Sequence, residues 1–252
     1  MISEKIITSL AHKKYRDQNG LFLIEGPDII EHCLNHDYPL KELILDENLK
    51  QKHNFIMVMA RKKRIEVSFA QRGQIEKLSE TVTTQGAIAL AQIRRGLGDD
   101  PGLSVYLDCV QDPGNVGAVM RCAAAAGFKT VIAGRGTADF FGPKVVRSSA
   151  GAFANVDCVD DAACTLLARL KARGHRVIIT DCKRGKDYRR LEKSGKNIIV
   201  MGNEGEGVSA QIAEMADMRI HIPMSGVMRS LNIAVAFGVI AFSMFDPPHA
   251  GR

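Results

Sequence analysis

Two glycine-rich segments in the later part of the chain hold the side chains best placed to do chemistry. Ile198-Ile199-Val200-Met201 runs into Gly202-Asn203-Glu204-Gly205-Glu206-Gly207, and Ile220-His221-Ile222-Pro223-Met224 runs into Ser225-Gly226, then Ser230-Leu231-Asn232. A short β-branched run that stops at glycine reads as a buried strand feeding a loop. In open α/β sheets ligands sit where strands end in such loops, so the two segments read as the floor of one binding site. Glycine lets main-chain groups approach a ligand closely. Earlier in the chain, Asp112-Pro113-Gly114-Asn115-Val116-Gly117 turns tightly and puts Asn115 at or near a helix N-cap. Arg121 follows in an otherwise apolar helical run, where a side chain reaching out to solvent is the plain alternative to a functional role.

Other signatures are missing. Gly134-Arg135-Gly136-Thr137-Ala138-Asp139 lacks the third glycine of a dinucleotide fingerprint, and neither a P-loop nor a nucleophile elbow is present. His32, Cys33 and His36 lie close together, but one such cluster on an ordinary helix is incidental and no metal is expected. The six cysteines form no C-x-x-C pair and fall mostly in apolar segments, so free thiols in a reducing compartment are expected.

The elements that must position these residues alternate along the chain. A helix over 2–16, strands at 21–24, 40–45, 65–69 and 86–91, and helices over 28–35, 48–61 and 71–79 predict a small α/β domain over 1–95. Residues 96–102 have the Gly, Pro and charge content of a linker. The second domain, 103–252, opens with a strand at 103–108 and a helix over 118–126. A strand at 130–133, a helix over 143–150, a strand at 153–156, a helix over 161–173 and a strand at 177–180 come next. The two strands of the presumed site and a buried helix over 231–245 close it. That helix is too short to span a bilayer, no leader-like segment stands at the N-terminus, and a soluble cytoplasmic protein is expected. The formal charge of +6 permits a polyanionic partner without demanding one. Basic residues cluster at 13–16, 61–64 and 183–190.

Taken in order, Asp112 to Gly117 with Arg121, Gly202 to Gly207, and Ile222-Pro223-Met224 with Ser230-Leu231-Asn232 resemble the three motifs of the SpoU family of RNA ribose 2'-O-methyltransferases, within the SPOUT superfamily. Lys144 to Gly151 is similar to the family's segment between the first two motifs, and residues 11–34 resemble an N-terminal RNA-binding domain whose fold is shared with a small ribosomal protein.

The resemblance implies an α/β fold with a mostly parallel C-terminal sheet tied in a deep trefoil knot, preceded by the small RNA-binding domain. It implies a homodimer, and methyl transfer from S-adenosylmethionine to the 2'-hydroxyl of a ribose in structured RNA, ribosomal RNA in preference to transfer RNA. A non-catalytic RNA-binding or ribosome-assembly factor on the same fold is the alternative. Cofactor binding falls to Met201, Gly202, Ile222, Met224 and Leu231, and the polar catalytic positions to Asn115, Arg121, Glu204, Ser230 and Asn232. Glu204 would orient Arg121 or Asn115, or else be a loop acid; Ser230 and Asn232 would orient substrate or only cap the last helix. Arg121 would grip a phosphate or stabilise the developing alkoxide, in its own site or its partner's. RNA contacts are expected from Arg16, Arg147, Lys183 and Arg184. The sequence departs from the family at Arg229, where an acid is common, and at Ala234, where a serine is.

Overall fold

A computed structural model describes residues 4–79, 83–96, 101–181 and 185–245. In chain order these form α1 (Glu4–Ser9), α2 (Lys13–Asn19), β1 (Leu21–Glu25), α3 (Pro27–Asn35), β2 (Leu40–Asp46), α4 (Asn54–Lys62), β3 (Glu66–Ala70), α5 (Arg72–Leu78) and β4 (Ala87–Gln92). Then come β5 (Ser104–Leu107), α6 (Pro113–Ala125), β6 (Thr130–Gly134), α7 (Pro143–Ser148), β7 (Asp157–Asp161), α8 (Thr165–Ala172) and β8 (Arg176–Thr180). The last elements are β9 (Lys186–Asp187), β10 (Asn197–Met201), α9 (Ala210–Glu214), β11 (Met218–His221) and α10 (Ile233–Met244). They divide into two compact units, one made of Met1–Arg94 with Asp139–Asn155, the other of Arg95–Ala138 with Val156–Arg252. Most of the expected linker, residues 97–100, lies outside the described residues.

The N-terminal unit is built on a four-stranded sheet in the order β1-β4-β2-β3, with β4 antiparallel to both neighbours and β2 parallel to β3. The helix expected over 2–16 is two short ones separated by the turn at Leu10–His12. The unit differs from the contiguous domain expected from sequence because a later segment joins it. Phe22 of β1 packs against Tyr38, Phe141 and Phe153, with ring centroids 6.1, 4.9 and 5.3 Å away, so the apolar content of 139–155 is spent on this core. Phe153 accordingly sits in a short 3-10 turn, Ala152–Ala154, and not in the strand expected at 153–156; the strand begins at Asp157.

An ion pair secures the same segment and corrects one expected RNA contact. Arg16 is buried, donates from Nη2 and Nε to Asp139 Oδ2 at 2.6 and 3.2 Å, and donates from Nη1 to the carbonyls of Leu10 and Ala11. Four of the five guanidinium N–H groups are used inside the unit and the side chain is buried, so Arg16 is structural and is not placed to meet a phosphate. Burial raises the Asp139 carboxyl, but the hydrogen bond from Arg16 and the charges of Lys13 and Arg16 outweigh it and hold the group below the usual range. Burial also pushes the Cys33 thiol of α3 up to about 12, so it stays protonated and inert.

The C-terminal unit is a seven-stranded sheet in the order β7-β6-β5-β10-β8-β11-β9, and every pairing in it is parallel. Its central strands β5, β6 and β10 are buried at every position, which is why they read in sequence as unbroken apolar runs instead of alternating ones. The α8 helix starts later than the expected 161, because Asp161 ends β7 and its carboxylate accepts the N–H groups of Leu166 and Leu167. Helices α6 and α10 pack together, and Phe128, just beyond α6, meets Phe237 of α10 with rings 5.1 Å apart. No helix among the described residues is long and apolar enough to cross a membrane.

Candidate active site

The carboxyl ends of β5, β8, β10 and β11 converge in the C-terminal unit, and the loops that leave them carry the polar residues singled out in sequence. Helix α6 begins at Pro113, earlier than expected. Asp112 is its N-cap, accepting the Asn115 N–H at 2.9 Å, and Asn115 lies in the first turn with its side chain released for another use. That side chain donates from Nδ2 to Glu204 Oε1 at 2.6 Å and accepts at Oδ1 from Asn232 Nδ2 at 2.9 Å. Asn232 in turn caps α10, its Oδ1 accepting the N–H groups of Ala234 and Val235. Capping and site formation, alternatives on sequence grounds, are both performed by this one residue.

The loop bearing Glu204 is held by its neighbours. Asn203 Oδ1 accepts from the backbone of Gly205 and Glu206, its Nδ2 donates to the Cys109 carbonyl at 3.0 Å, and Asn203 and Gly207 exchange main-chain hydrogen bonds. At Gly202 a Cβ would lie 2.3 Å from the Gly207 carbonyl carbon, so this close crossing of backbone admits glycine alone. Cys109 takes a left-handed conformation with φ 59°, rare for a residue with a side chain. Buried Asp108 accepts the Ser209 N–H at 2.7 Å. None of Asp108, Cys109 or Asn203 was singled out in sequence; Asn203 stands beside Glu204, but its partner Cys109 lies 94 residues away in the chain.

A cavity of about 350 Å³ opens against this arrangement, within the size range of small-molecule sites. The five residues expected to hold a cofactor, Met201, Gly202, Ile222, Met224 and Leu231, all line it, as do Glu204 and Ser230. Sequence reasoning missed Thr180 and Asp181 at the end of β8, His221, and Ile233, Ala236 and Ile240 of α10. The mixture suits a nucleoside carrying positive charge, with apolar walls for a flat base and the carboxylates of Glu204 and Glu206 on the same lining, where Asp181 is paired at 3.5 Å with Arg219.

Arg121 does not line this cavity; it is exposed on α6 and makes no hydrogen bond or ion pair among the described residues. Six residues along a helix place it roughly 120° around the axis from Asn115. Of the remaining residues expected to touch RNA, Arg147 is exposed on α7 in the N-terminal unit, and Lys183 and Arg184 lie outside the described residues. Further along that basic run Arg189 clamps Asp187 and lowers its carboxyl to about 2, so part of the run's charge is neutralised locally. His32 and His36 stack 4.2 Å apart, with His32 Nε2 hydrogen-bonded to Asn155, and no group of three or more metal-ligating side chains is assembled among the described residues.

The fold and these loops have relatives. Residues 102–242 match the model of the SpoU rRNA Methylase family, and residues 4–89 match an MRM3-like substrate binding domain. A 23S rRNA (guanosine(2553)-2'-O)-methyltransferase, RlmP of Bacillus subtilis, is 30% identical over 92% of this chain and 91% of its own. Among solved structures, an RNA methyltransferase of the TrmH family from Porphyromonas gingivalis superposes with a TM-score of 0.83 at 30% identity, covering 97% of this chain and 98% of its own. An AdoMet-bound rRNA methyltransferase from Sinorhizobium meliloti gives 0.83 at 26% identity, covering 96% and 93%. The chain belongs to the SpoU family of RNA methyltransferases. S-adenosylmethionine is the methyl donor of these enzymes.

Proposed function

We propose that this chain methylates the 2'-hydroxyl of a ribose in structured RNA, ribosomal RNA in preference to transfer RNA. The observation that carries the reading is Asn115, which ties Glu204 at the cavity to the N-cap of α10 and so joins all three motifs in one hydrogen-bonded chain. An assembly factor that never turned over would have no need of such a chain. The choice of ribose and of ribosomal RNA is supported by the Bacillus subtilis relative, whose name specifies a guanosine 2'-O in 23S rRNA.

When bound, S-adenosylmethionine supplies a methyl group on a sulfonium. Met201, Gly202, Ile222, Met224 and Leu231 would hold it. Glu204 has one carboxylate oxygen fixed by Asn115 and the other without a partner among the described residues, which makes it the available acceptor for the hydroxyl proton. The guanidinium of Arg121 is a donor without acceptor capacity, and its fork grips a phosphate or steadies the alkoxide. Ser230, on the cavity wall, orients the ribose.

A homodimer completes this site. Val235, Val239 and Phe242 form an exposed apolar stripe along α10 at helical spacing, with Val227 and Met228 exposed before it, and Arg121 is exposed and does not line the cavity. The insertion of β10 between β5 and β8 supports a knotted C-terminal unit. We place the enzyme in the cytoplasm, with its RNA. Mapping ribose methylation in RNA from cells with and without the gene tests the proposal: one missing 2'-O-methyl group in large-subunit ribosomal RNA is expected, and an unchanged ribose map, or loss of a base methylation alone, would refute it.

A further inference from the structure

The N-terminal unit presents a helix face that its own core leaves uncovered. Phe55 of α4 is 59% exposed and Val58, three residues on, is 39% exposed; Lys62 follows four residues later, so the three share a face. From Gln51 to Ile65 there is no acidic residue, while Lys52, Arg61, Lys62, Lys63 and Arg64 are all exposed. Lys63 pairs with Asp37, but Lys52, Arg61, Lys62 and Arg64 form no ion pair among the described residues. The nearest acid upstream, Glu47, is taken up by Lys50 and Gln71. The other phenylalanine rings of the unit are used internally, Phe22, Phe141 and Phe153 in the core and Phe69 under the Lys50 ammonium, whereas Tyr15 of α2, 41% exposed, meets the ring of His12 edge-on.

A phenylalanine held out in solvent costs free energy, and a protein partner would be met by an apolar patch with few charges at its centre. Here the ring stands amid unpaired cations, the pairing used for single-stranded nucleic acid, in which bases stack on aromatic side chains and cations hold the phosphates. We infer that the exposed face of α4 docks an unpaired nucleotide of the substrate RNA, with its base stacked on Phe55 and a flanking phosphate held by Lys62. The inference rests on the RNA methyltransferase reading and adds to it where, and in what conformation, the RNA is held outside the cavity.

The chain contains no tryptophan, so Phe55→Trp introduces a single indole on this face and keeps a stacking surface. Titrated with an unmodified 23S rRNA transcript, or with tRNA transcripts, the variant should bind as the wild type does and its fluorescence should be quenched. Phe55→Leu keeps apolar bulk without a ring and should lose about 5- to 150-fold in RNA affinity, with S-adenosylmethionine affinity and melting temperature unchanged. Lys62→Glu should weaken binding and reduce the salt dependence. If the wild type methylates RNA while quenching is absent and Phe55→Leu binds normally, the inference fails and the methyltransferase reading stands. If quenching and the Phe55→Leu loss are seen but no transcript is methylated, the face is confirmed and that reading fails. A blue shift of the indole with protein concentration in the absence of RNA would assign the face to a second copy of the chain and overturn the inference.

Discussion

Asn115 and Glu204, 89 residues apart in sequence, meet at 2.6 Å through a side-chain amide and a carboxylate. A carboxylate only accepts, so Asn115 must turn its Nδ2 toward Glu204 and its Oδ1 toward Asn232. Asn232 must then offer its own Nδ2, which leaves its Oδ1 for the helix N–H groups of Ala234 and Val235. Both amides are thus oriented from their two ends, and the free oxygen of Glu204 is aimed by a chain anchored on the backbone of α10.

Replacing that carboxylate without changing its size isolates its chemistry. In Glu204→Gln the new amide can still accept from Asn115 with its oxygen, so the loop keeps its shape while the proton acceptor is gone. Single-turnover methylation should fall by about 10²- to 10⁴-fold, as general-base removal does, with S-adenosylmethionine affinity by calorimetry within about threefold of wild type. A turnover loss of less than tenfold would show that Glu204 only supports the loop.

Asn232→Asp separates the two duties of that residue. Aspartate is as good an N-cap as asparagine, and its charge suits a helix N-terminus, so melting temperature should hold or rise slightly. The variant has no hydrogen to offer Asn115 and places a second negative charge near Glu204. Turnover should drop by at least tenfold in a protein as stable as the wild type, measured by methylation kinetics beside thermal melts.

At Gly202 the test is steric. A methyl group there would meet the backbone of Gly207 and Val208 at 2.3 to 2.5 Å, and backbone cannot yield as a flexible side-chain tip does. Gly202→Ala should therefore open the loop that carries Glu204 and line the cavity differently, costing at least tenfold in S-adenosylmethionine affinity. Because the loop ends a strand whose core is intact, the variant should remain folded by circular dichroism.

Strands were legible in the sequence wherever an apolar run ends on glycine or a polar turn, as at Ile198 to Met201 and Thr130 to Ala133, because a strand buried on both faces leaves that local trace. Phe153 was misleading since its hydrophobicity answers to Phe22 and Tyr38, far away in the chain, and not to a neighbouring strand. Arg16 failed for the same reason: a basic residue in a basic run looks like a phosphate contact until Asp139, 123 residues on, is seen to hold it. The motif residues around the cavity could be chosen from sequence, but not their wiring, since the Asn115–Glu204 and Asn115–Asn232 contacts leave no local periodicity.

The Arg16–Asp139 pair makes a prediction about acid. Asp139 is held below its ordinary value when folded, so its contribution to stability is present above the unfolded carboxyl pKa of about 3.9 and is lost as pH falls through the lower folded value. Asp139→Asn removes that contribution at neutral pH and leaves Arg16 buried with half its partners, at a cost on the order of 3 kcal/mol. Thermal melts should show the variant well below wild type at pH 7, with the gap closing as pH drops under 4. A gap that is constant with pH would mean the loss is one of packing.

The position of Arg121 leads to a complementation test. It sits on α6, roughly 120° around the helix from Asn115, and is absent from the cavity lining that includes Glu204. If it serves the partner's site, Arg121→Ala and Glu204→Ala should each be inactive alone yet recover activity when mixed and allowed to exchange subunits. In a mixed dimer one site would pair the intact Glu204 of one chain with the intact Arg121 of the other, while the second site would lack both. Random exchange puts half of the dimers in that form, so recovery should approach about a quarter of the wild-type rate. Were Arg121 to act within its own chain, each site of the mixed dimer would still lack one group, and mixing would restore nothing. Adding Val239→Glu to both variants should abolish the recovery by breaking the apolar stripe of α10, which a sedimentation measurement would register as monomer.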